Sequence, residues 1–224
     1  MGETKEHLSH VSFDDGLVAS PYIKPIRMHF QRKGQTLHWD LGIEQDNVAI
    51  VLYHREKKAL LFVRQFRPPV FVRKVRIMPE NQGKPWNEIE WDKYPVELGK
   101  TLELCAGLMD KIGKSPKQIA IEEIEEECGY AVQEDRIHLI KSYITGISTS
   151  GSRQYLFYAI IDESMKATEG GGNVYEGEFI EKVFLDLKQA QELIDSEHLE
   201  SPPGLLYAVK WFFDNFTKLF ENPI

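Results

Sequence analysis

Two apolar runs separated by only four residues are the feature that most constrains this fold. Residues 48–54 and 59–66 have the length and composition of buried β-strands, and the charged stretch 55–58 lies between them. We expect the two runs to pair at the centre of a mixed sheet.

Other periodic segments extend this pair into a larger fold. Residues 22–31 alternate apolar and polar side chains, and Gly34 supplies a turn into 36–40, which predicts a separate antiparallel hairpin. Residues 68–99 have no steady periodicity and are expected to form a long connection of a functional or mobile kind. The other predicted strands are 101–105, 137–144, 154–161 and 179–185, and predicted closing helices are 187–196 and 205–220, the second with Leu206, Val209, Phe213 and Phe216 on its apolar face.

Charge and composition exclude several classes of function. A formal net charge of −8 and a pI near 5.4 do not favour a polyanion-binding surface, so no nucleic-acid partner is expected. Residues 1–15 are too polar for a signal peptide, and no run approaches the ~20 apolar residues that span a bilayer. Cys105 and Cys128 are too few for a disulfide framework. We therefore expect a reduced, cytoplasmic protein without a membrane partner.

A glutamate-rich segment carries the strongest chemical signal. Ser115 and Gly129 are the expected N- and C-terminal caps of a helix, and Glu123, Glu126 and Glu127 within it stand at i, i+3 and i+4 on one face. Carboxylates so placed repel one another, a cost that is recovered when a hard divalent cation lies among them. An acidic run without further signal is more often a solvated face, so the flanking residues decide between the two interpretations.

Those flanks resemble the Nudix box, G-x5-E-x7-R-E-U-x-E-E-x-G-U, in which U is an apolar residue. Aligned from the C-terminal end, Glu123 takes the place of the Glu after Arg, Ile124 takes the apolar place, and Glu126 and Glu127 form the terminal pair before Gly129. The segment is thus similar to the signature of a family of metal-dependent diphosphate hydrolases.

Three positions depart from that signature. Gly107 lies one residue too early, so the loop carries one insertion, while Lys114 stands in place of the first Glu and Glu122 in place of Arg. In the family these two positions pair through opposite charges. Since both signs are reversed here, we expect Lys114 and Glu122 still to form an ion pair.

Further runs resemble one branch of the Nudix family, which hydrolyses ADP-ribose and nucleoside diphosphate sugars. These runs are 63–68, 103–107 and 175–180, and the run 149–154 adds a similarity to animal members that act on UDP-glucose. The resemblance covers roughly residues 20–220. It implies an α/β (α+β) fold, the Nudix α/β/α sandwich around a mixed sheet, with a small N-terminal antiparallel sheet.

The resemblance also implies a division of the chain. Residues 1–19 would be a polar leader, 20–45 an N-terminal antiparallel sheet that builds a homodimer, and 46–224 the Nudix hydrolase domain. Met28, Phe30 and Trp39 give the hairpin apolar surface to bury in such a dimer.

The metal ligands follow from the same resemblance. Glu123 and Glu127 would be the main ligands of Mg²⁺, with Mn²⁺ as an alternative, and Glu126 would ligate or act catalytically through a water. The Ala106 carbonyl would be a backbone ligand, since hard cations accept such oxygens.

Five more residues receive roles by resemblance. Glu176 or Glu178, on a loop after the box, would be the general base, with Glu176 favoured over Glu178; a plain acidic turn is the alternative. Arg67 would bind a substrate phosphate, or else form a surface ion pair. Trp39 would stack on the nucleobase or pack within the sheet, and Glu103 would hold Arg67 or a metal-bound water, or be an ordinary strand carboxylate.

The implied function is magnesium-dependent hydrolysis of the diphosphate of a nucleoside diphosphate sugar, with UDP-glucose giving UMP and glucose 1-phosphate. One alternative is hydrolysis of ADP-ribose to AMP and ribose 5-phosphate, which uses the same metal chemistry and differs in a few pocket contacts. A second alternative, of another class, is a Nudix-like module that senses a nucleotide without cleaving it, for which the departures at Lys114 and Glu122 leave room.

Overall fold

The computed structural model describes residues 5–14, 16 and 20–221, apart from the side chains of Glu176, Phe220 and Glu221. Its strands are β1 Lys24–Arg32, β2 Gln35–Ile43, β3 Asn47–His54, β4 Ala59–Phe66, β5 Lys100–Glu103, β6 Cys105–Leu108, β7 Ile137–Ile144, β8 Arg153–Ile161 and β9 Glu181–Asp186. Its helices are α1 Pro68–Arg76, α2 Pro116–Glu123, which continues as a π-helical turn Ile124–Cys128, α3 Leu187–Asp195 and α4 Pro203–Glu221.

Seven of these strands form one mixed sheet around β3 and β4. The strand order is β5-β4-β3-β8-β7, with β6 also paired to β3 and β9 also paired to β4. The β3–β8 pair is parallel, and the other pairs are antiparallel. The prediction that 48–54 and 59–66 pair at the centre of a mixed sheet is confirmed.

Helices cover both faces of this sheet because alternate residues of β3 point to opposite sides. One core packs against α2 and includes Val48, Ile50, Leu52, Ile119 and Ile124. The other packs against α3 and α4 and includes Ala49, Val51, Leu205, Val209 and Phe212. This α/β/α arrangement confirms the predicted fold class. Within the described residues, no helix is long and apolar enough to cross a membrane.

The last helix presents a slightly different face from the predicted one. Leu205, Val209 and Phe212 are buried, whereas Leu206 is exposed. The true face is therefore rotated by about one residue, and Phe216 packs at its far end against Tyr53. The error arose because several apolar residues of α4 lie off its buried face.

The N-terminal hairpin is also as predicted. Lys33 and Gly34 both have positive φ angles, 52° and 77°, as expected for a two-residue turn that matches the right-handed twist of the strands. The hairpin forms a sheet of its own, and β1 and β2 pair in register from Lys24 with Ile43 to Arg32 with Gln35.

The expectation of a structureless connection over 68–99 is wrong. Pro68 and Pro69 occupy the first turn of α1, where their missing N–H groups cost nothing. Phe71 and Val75 then form a buried stripe one turn apart, which packs against Trp91. Residues 79–99 continue as short 3-10 turns around this satellite core.

Part of the N-terminal leader packs against the same core. The Phe13 ring lies 5.0 Å from the ring centroids of both Trp86 and Trp91. The backbone N–H of Val96 donates to the Glu6 carbonyl at 3.0 Å. The two tryptophans thus stabilise this segment of the structure.

Candidate active site

Local capping determines where the glutamate helix begins. Ser115 Oγ accepts a hydrogen bond from the Gln118 N–H at 3.2 Å, while the Ser115 N–H donates to Gln118 Oε1 at 2.9 Å. This is a capping box, and Pro116 occupies the first helical position after it. Gly129 ends the helix in the left-handed region, at φ 84°. Both predicted ends are confirmed.

The last turn of this helix is a π-helix, which the sequence did not predict. A π-helical turn accommodates one more residue than an α-helical turn and so changes the direction of the side chains after it. Glu127 is 3 % exposed, Glu126 is partly buried and Glu125 points to solvent. Glu123 is also partly buried, so the carboxylates of the predicted face, Glu123, Glu126 and Glu127, do not all lie at the same depth.

Glu127 is anchored to the strand that precedes the helix. Its Oε2 accepts a hydrogen bond from the Ala106 N–H at 3.0 Å, which fixes the carboxylate beside β6. Burial raises the pKa of Glu127 to about 8, against the lowering effect of that hydrogen bond and with a further rise from the charges of Glu123 and Glu178.

The Glu123 carboxylate lies very close to Gly107, in the loop before the helix. A Cβ atom added at Gly107 would lie 2.1 Å from the Glu123 carboxyl carbon, so only glycine allows this approach. Burial raises the pKa of Glu123 to about 7; Lys111 opposes that rise, and the charges of Glu126 and Glu178 add to it. Four carboxylates thus influence one another in this region.

The donor set fits a hard divalent cation. Among the described side chains, no three His, Cys, Asp or Glu residues converge closely enough to define a metal site by themselves. Burial and mutual repulsion nevertheless disfavour the charged forms of Glu123 and Glu127, and a cation among them would reverse that preference. Carboxylate and carbonyl oxygens, including the Ala106 carbonyl on the adjacent strand, are the ligands that magnesium prefers.

The predicted ion pair between Lys114 and Glu122 is confirmed, and Lys111 also contacts Glu122. Lys114 Nζ contacts Glu122 Oε1, and Lys111 Nζ donates to Glu122 Oε2 at 2.9 Å. The two lysines hold the pKa of Glu122 below its usual value. Glu122 therefore ties the inserted loop to the last turn of α2 through both lysines.

A second charged group lies across from the helix. Arg67 Nε and Nη2 donate to the two carboxylate oxygens of Glu103 at 2.8 and 2.7 Å, a bidentate pair. The hydrogen bond to Glu103 raises the pKa of Arg67, and the charges of Glu127 and Glu178 add to the effect. Arg67 and Glu103 line a cleft of about 600 Å³ together with Val70, Leu199 and Pro202, among others.

The loop that carries the candidate bases is bonded to the end of the helix. The N–H groups of Gly171 and Gly172 donate to the carbonyls of Glu127 and Glu126 at 2.9 and 3.1 Å. Glu178 Oε2 accepts from the Asn173 N–H at 3.2 Å. The glycine run is therefore hydrogen-bonded to the carboxylate helix, and Glu178 follows it along the chain.

Two predicted site residues, Glu176 and Trp39, have no described contact with the carboxylates of the helix. The Glu176 backbone is in a short 3-10 turn, Val174–Glu176, but its side chain lies outside the described residues. Trp39 is 53 % exposed, and its indole N–H donates to the Ser148 carbonyl at 2.9 Å. Trp39 therefore does not pack within a sheet core, and its role towards a nucleobase stays a prediction.

Sequence reasoning missed two residues of this region, Thr101 and Lys111. Thr101 Oγ1 donates to Glu103 Oε1 at 2.5 Å, and Lys111 bonds Glu122 as described above. The signal for Thr101 was its spacing of two residues from Glu103 in a strand, which places both side chains on one face. The inserted loop gave no comparable signal for Lys111.

Several curated pyrophosphatases are similar to this chain over most of its length. The uridine diphosphate glucose pyrophosphatase NUDT14 of Mus musculus is 34 % identical over 205 residues, which cover 88 % of this chain and 91 % of the relative. The Bos taurus protein of the same name is 34 % identical over 201 residues, 87 % and 90 % of the two chains. A GDP-mannose pyrophosphatase of Pectobacterium atrosepticum is 31 % identical over 157 residues, 69 % and 66 % of the two chains.

No model of a known protein family matches the sequence. The length and identity of the first two alignments are nevertheless decisive, because they span nearly the whole of both chains. This chain belongs to the Nudix hydrolase family and is an enzyme of the pyrophosphatase kind, which acts on phosphorus-containing anhydrides.

Proposed function

We propose that this enzyme hydrolyses the diphosphate bond of a nucleoside diphosphate sugar in a magnesium-dependent reaction, with UDP-glucose as the preferred substrate. The observation that carries the proposal is the buried Glu127 carboxylate, bonded to Ala106 and close to Glu123, with the cation Arg67 nearby. The names of the mouse and bovine relatives favour uridine and glucose over other bases and sugars.

Each residue of the site has a part in this proposal. Glu123 and Glu127, with Glu126 and the Ala106 carbonyl, would hold the metal, and Mn²⁺ would be an acceptable substitute. When bound, the divalent cation neutralises charge on the diphosphate and acts as a Lewis acid. Arg67 would bind a phosphate oxygen through the guanidinium N–H groups that Glu103 does not use.

A carboxylate must take the proton of the attacking water. We assign this role to the loop after the glycine run, to Glu176 or Glu178. The charge of Glu178 acts on Glu123, Glu127 and Arg67, which supports a position beside the reacting phosphate. The water oxygen forms a new P–O bond while the bridging P–O bond breaks, so the products are UMP and glucose 1-phosphate.

Two properties of the whole protein complete the proposal. The exposed apolar face of the hairpin, with Met28 and Trp39, supports a homodimer built on that hairpin. A cytoplasmic location is consistent with two cysteines, Cys105 and Cys128, that are both free and buried.

The test is product release from UDP-glucose, GDP-mannose, ADP-ribose and ADP-glucose, with magnesium and then with chelator. We expect UMP from UDP-glucose, in excess of the other products and only with metal. Glu127→Gln keeps an oxygen that accepts from the Ala106 N–H but loses the charge. It should lower kcat by about 100-fold or more while the fold is retained, since electrostatic groups of this kind contribute several kcal/mol.

Glu125→Gln is the matched control, because Glu125 lies on the same turn and points to solvent; its kcat should stay near that of the wild type. Glu176→Gln and Glu178→Gln in the same assay assign the base to the residue whose loss lowers kcat more. Release of AMP from ADP-ribose in preference to UMP would move the assignment to that substrate. If the protein binds one of these four compounds but cleaves none of them, the hydrolysis proposal fails and a nucleotide-sensing function is supported.

A further inference from the structure

Three residues form a clamp beside the carboxylates. Glu103 Oε1 accepts from Thr101 Oγ1 at 2.5 Å and from Arg67 Nε at 2.8 Å, and Glu103 Oε2 accepts from Arg67 Nη2 at 2.7 Å. Thr101 and Glu103 are 7 % and 6 % exposed and stand two residues apart on β5, on one face of the strand. The carboxylate therefore has three donors in a place from which water is largely excluded.

The clamp leaves most of the Arg67 donors available. A guanidinium has five N–H groups, and Glu103 occupies two of them, so three remain for another acceptor. The Arg67 side chain is 44 % exposed, whereas its partner carboxylate is nearly inaccessible. Arg67 thus has a buried side that is fixed and an open side that lines the 600 Å³ cleft.

The fixed side determines where the open side points. Because both Arg67 bonds go to the same planar carboxylate, a rotation of that carboxylate turns the whole guanidinium with it. Thr101 supplies the donor to Glu103 that does not belong to the ion pair. Without that hydroxyl, the pair remains but its orientation is held by Arg67 alone.

We propose that Thr101 is a positioning residue, which acts through Glu103 to hold the Arg67 guanidinium in the orientation that binds a substrate phosphate. This inference rests on the proposed function, in which Arg67 meets the diphosphate. Thr101 also lines the cleft, but in this proposal it acts through its hydrogen bond to Glu103 and not through a contact with the substrate. Since Arg67 binds the phosphate before and during the reaction, loss of its orientation raises KM more than it lowers kcat.

The first experiment replaces the hydroxyl by a methyl group of nearly equal volume. Thr101→Val should raise KM for UDP-glucose by about 10-fold, the effect of one hydrogen bond to a charged group, with kcat within about twofold of wild type. Thr101→Ser restores a hydroxyl and should restore KM. Thr145→Val is the control, since Thr145 also bonds a neighbour through its hydroxyl, Ser152, and is not part of the clamp; its KM should not change.

A double-mutant cycle separates positioning from a merely structural role. Arg67→Lys keeps a cation beside Glu103 but loses the two-point contact, and should itself raise KM. If Thr101 acts through Arg67, Thr101→Val should raise KM by less than twofold in the Arg67→Lys background. The proposal is overturned if the increases in KM caused by Thr101→Val and Arg67→Lys multiply fully in the double variant. It is also overturned if Thr101→Val has an unchanged KM and a wild-type Tm.

Binding distinguishes failure of this inference from failure of the proposed function. Titration calorimetry with UDP, in the presence of magnesium, should show about 10-fold weaker binding for Thr101→Val than for wild type. If the wild type cleaves none of the sugar nucleotides yet this difference is found, the hydrolysis proposal fails and the clamp stands. If turnover is present and the difference is not found in either measurement, the clamp fails alone.

Discussion

At the scale of single residues, the two buried glutamates link the metal site to stability. Their pKa values of about 7 for Glu123 and about 8 for Glu127 lie above the ordinary value of 4.5 because burial disfavours their charged forms. A carboxyl whose pKa is raised by folding binds more protons in the folded state. Its contribution is therefore present below pH 4.5 and is lost as the pH rises through 7 to 8.

The metal-free protein should accordingly become less stable from pH 5 to pH 8. In chelator, we expect Tm at pH 8 to be lower than at pH 5.5 by about 5 °C or more, as a few kcal/mol would give for a chain of this size. Magnesium at pH 8 should recover most of the loss, since it binds the charged carboxylates of the folded state. Differential scanning fluorimetry across this range measures both effects.

Glu127→Gln is the comparison that identifies the residue. An amide does not titrate, so this variant should show a clearly smaller fall in Tm between the two pH values. Histidines away from the site contribute equally to wild type and variant, so the difference between the two curves reports Glu127 together with its effect on the neighbouring Glu123. Parallel curves would mean that Glu127 does not cause the pH dependence.

At the scale of secondary-structure elements, the reversed ion pair connects the inserted loop to α2. Lys114→Glu places a carboxylate beside Glu122 and should lower Tm by a few degrees, because attraction becomes repulsion. Adding Glu122→Lys restores an attractive pair in the order that the Nudix box has, and should recover more than half of the loss. Thermal unfolding of the single and double variants measures the coupling.

Lys117→Glu makes the same charge change in the first turn of α2 and serves as the control. Its effect on Tm should not be rescued by Glu122→Lys, because Lys117 is not a partner of Glu122 in this structure. If the effects of Lys114→Glu and Glu122→Lys simply add, the pair contributes no coupling and the loop is held by other contacts.

The elements that sequence reasoning placed correctly are those whose causes are local. The capping box at Ser115 and the left-handed Gly129 are properties of a few consecutive residues, and so both helix ends could be predicted. The π-helical turn before Gly129 could not be predicted from that pattern. Distant residues bond the carbonyls of that turn, Gly171 to Glu127 and Gly172 to Glu126.

The missed helix α1 has the same kind of explanation. Its two apolar anchors, Phe71 and Val75, are too few to give a clear period, and their partners Trp91 and Phe13 come from opposite directions along the chain. In the site, resemblance to a family indicated Arg67 and Glu103, and it gave their pairing as one of three alternatives for Glu103. The clamp with Thr101 required the pairing of β4 with β5, which only the folded sheet supplies.

At the scale of the whole molecule, the N-terminal hairpin has one apolar face that nothing in the described chain covers fully. Met28 pairs with Trp39 and Ile26 with Leu41 across the two strands, so these side chains share a face, and Met28 and Trp39 are 49 % and 53 % exposed. The other face is polar and carries the Arg27–Asp40 pair. A two-stranded sheet is marginal alone, so an apolar face of this kind favours burial against a partner.

A second copy of the chain is the partner that our proposal assigns to this face. Light scattering after size exclusion should give twice the chain mass of 25.9 kDa for wild type. Met28→Asp places a charge at the centre of the apolar face and should shift the protein to monomer, because an unpaired charge is costly to bury. Arg27→Ser changes the neighbouring residue on the polar face and should leave the dimer intact.

A comparison of Met28→Asp with Arg27→Ser shows what the hairpin does. If Met28→Asp is monomeric and keeps a wild-type Tm for its main transition, the hairpin serves assembly and the sheet domain folds without it. If turnover of UDP-glucose falls together with the dimer, the exposed Trp39 or a neighbour acts in the active site of the opposite copy, since β1 and β2 form a sheet separate from the one against which the carboxylate helix packs. A wild type that is already monomeric at micromolar concentration would contradict the dimer and leave the apolar face for a different partner.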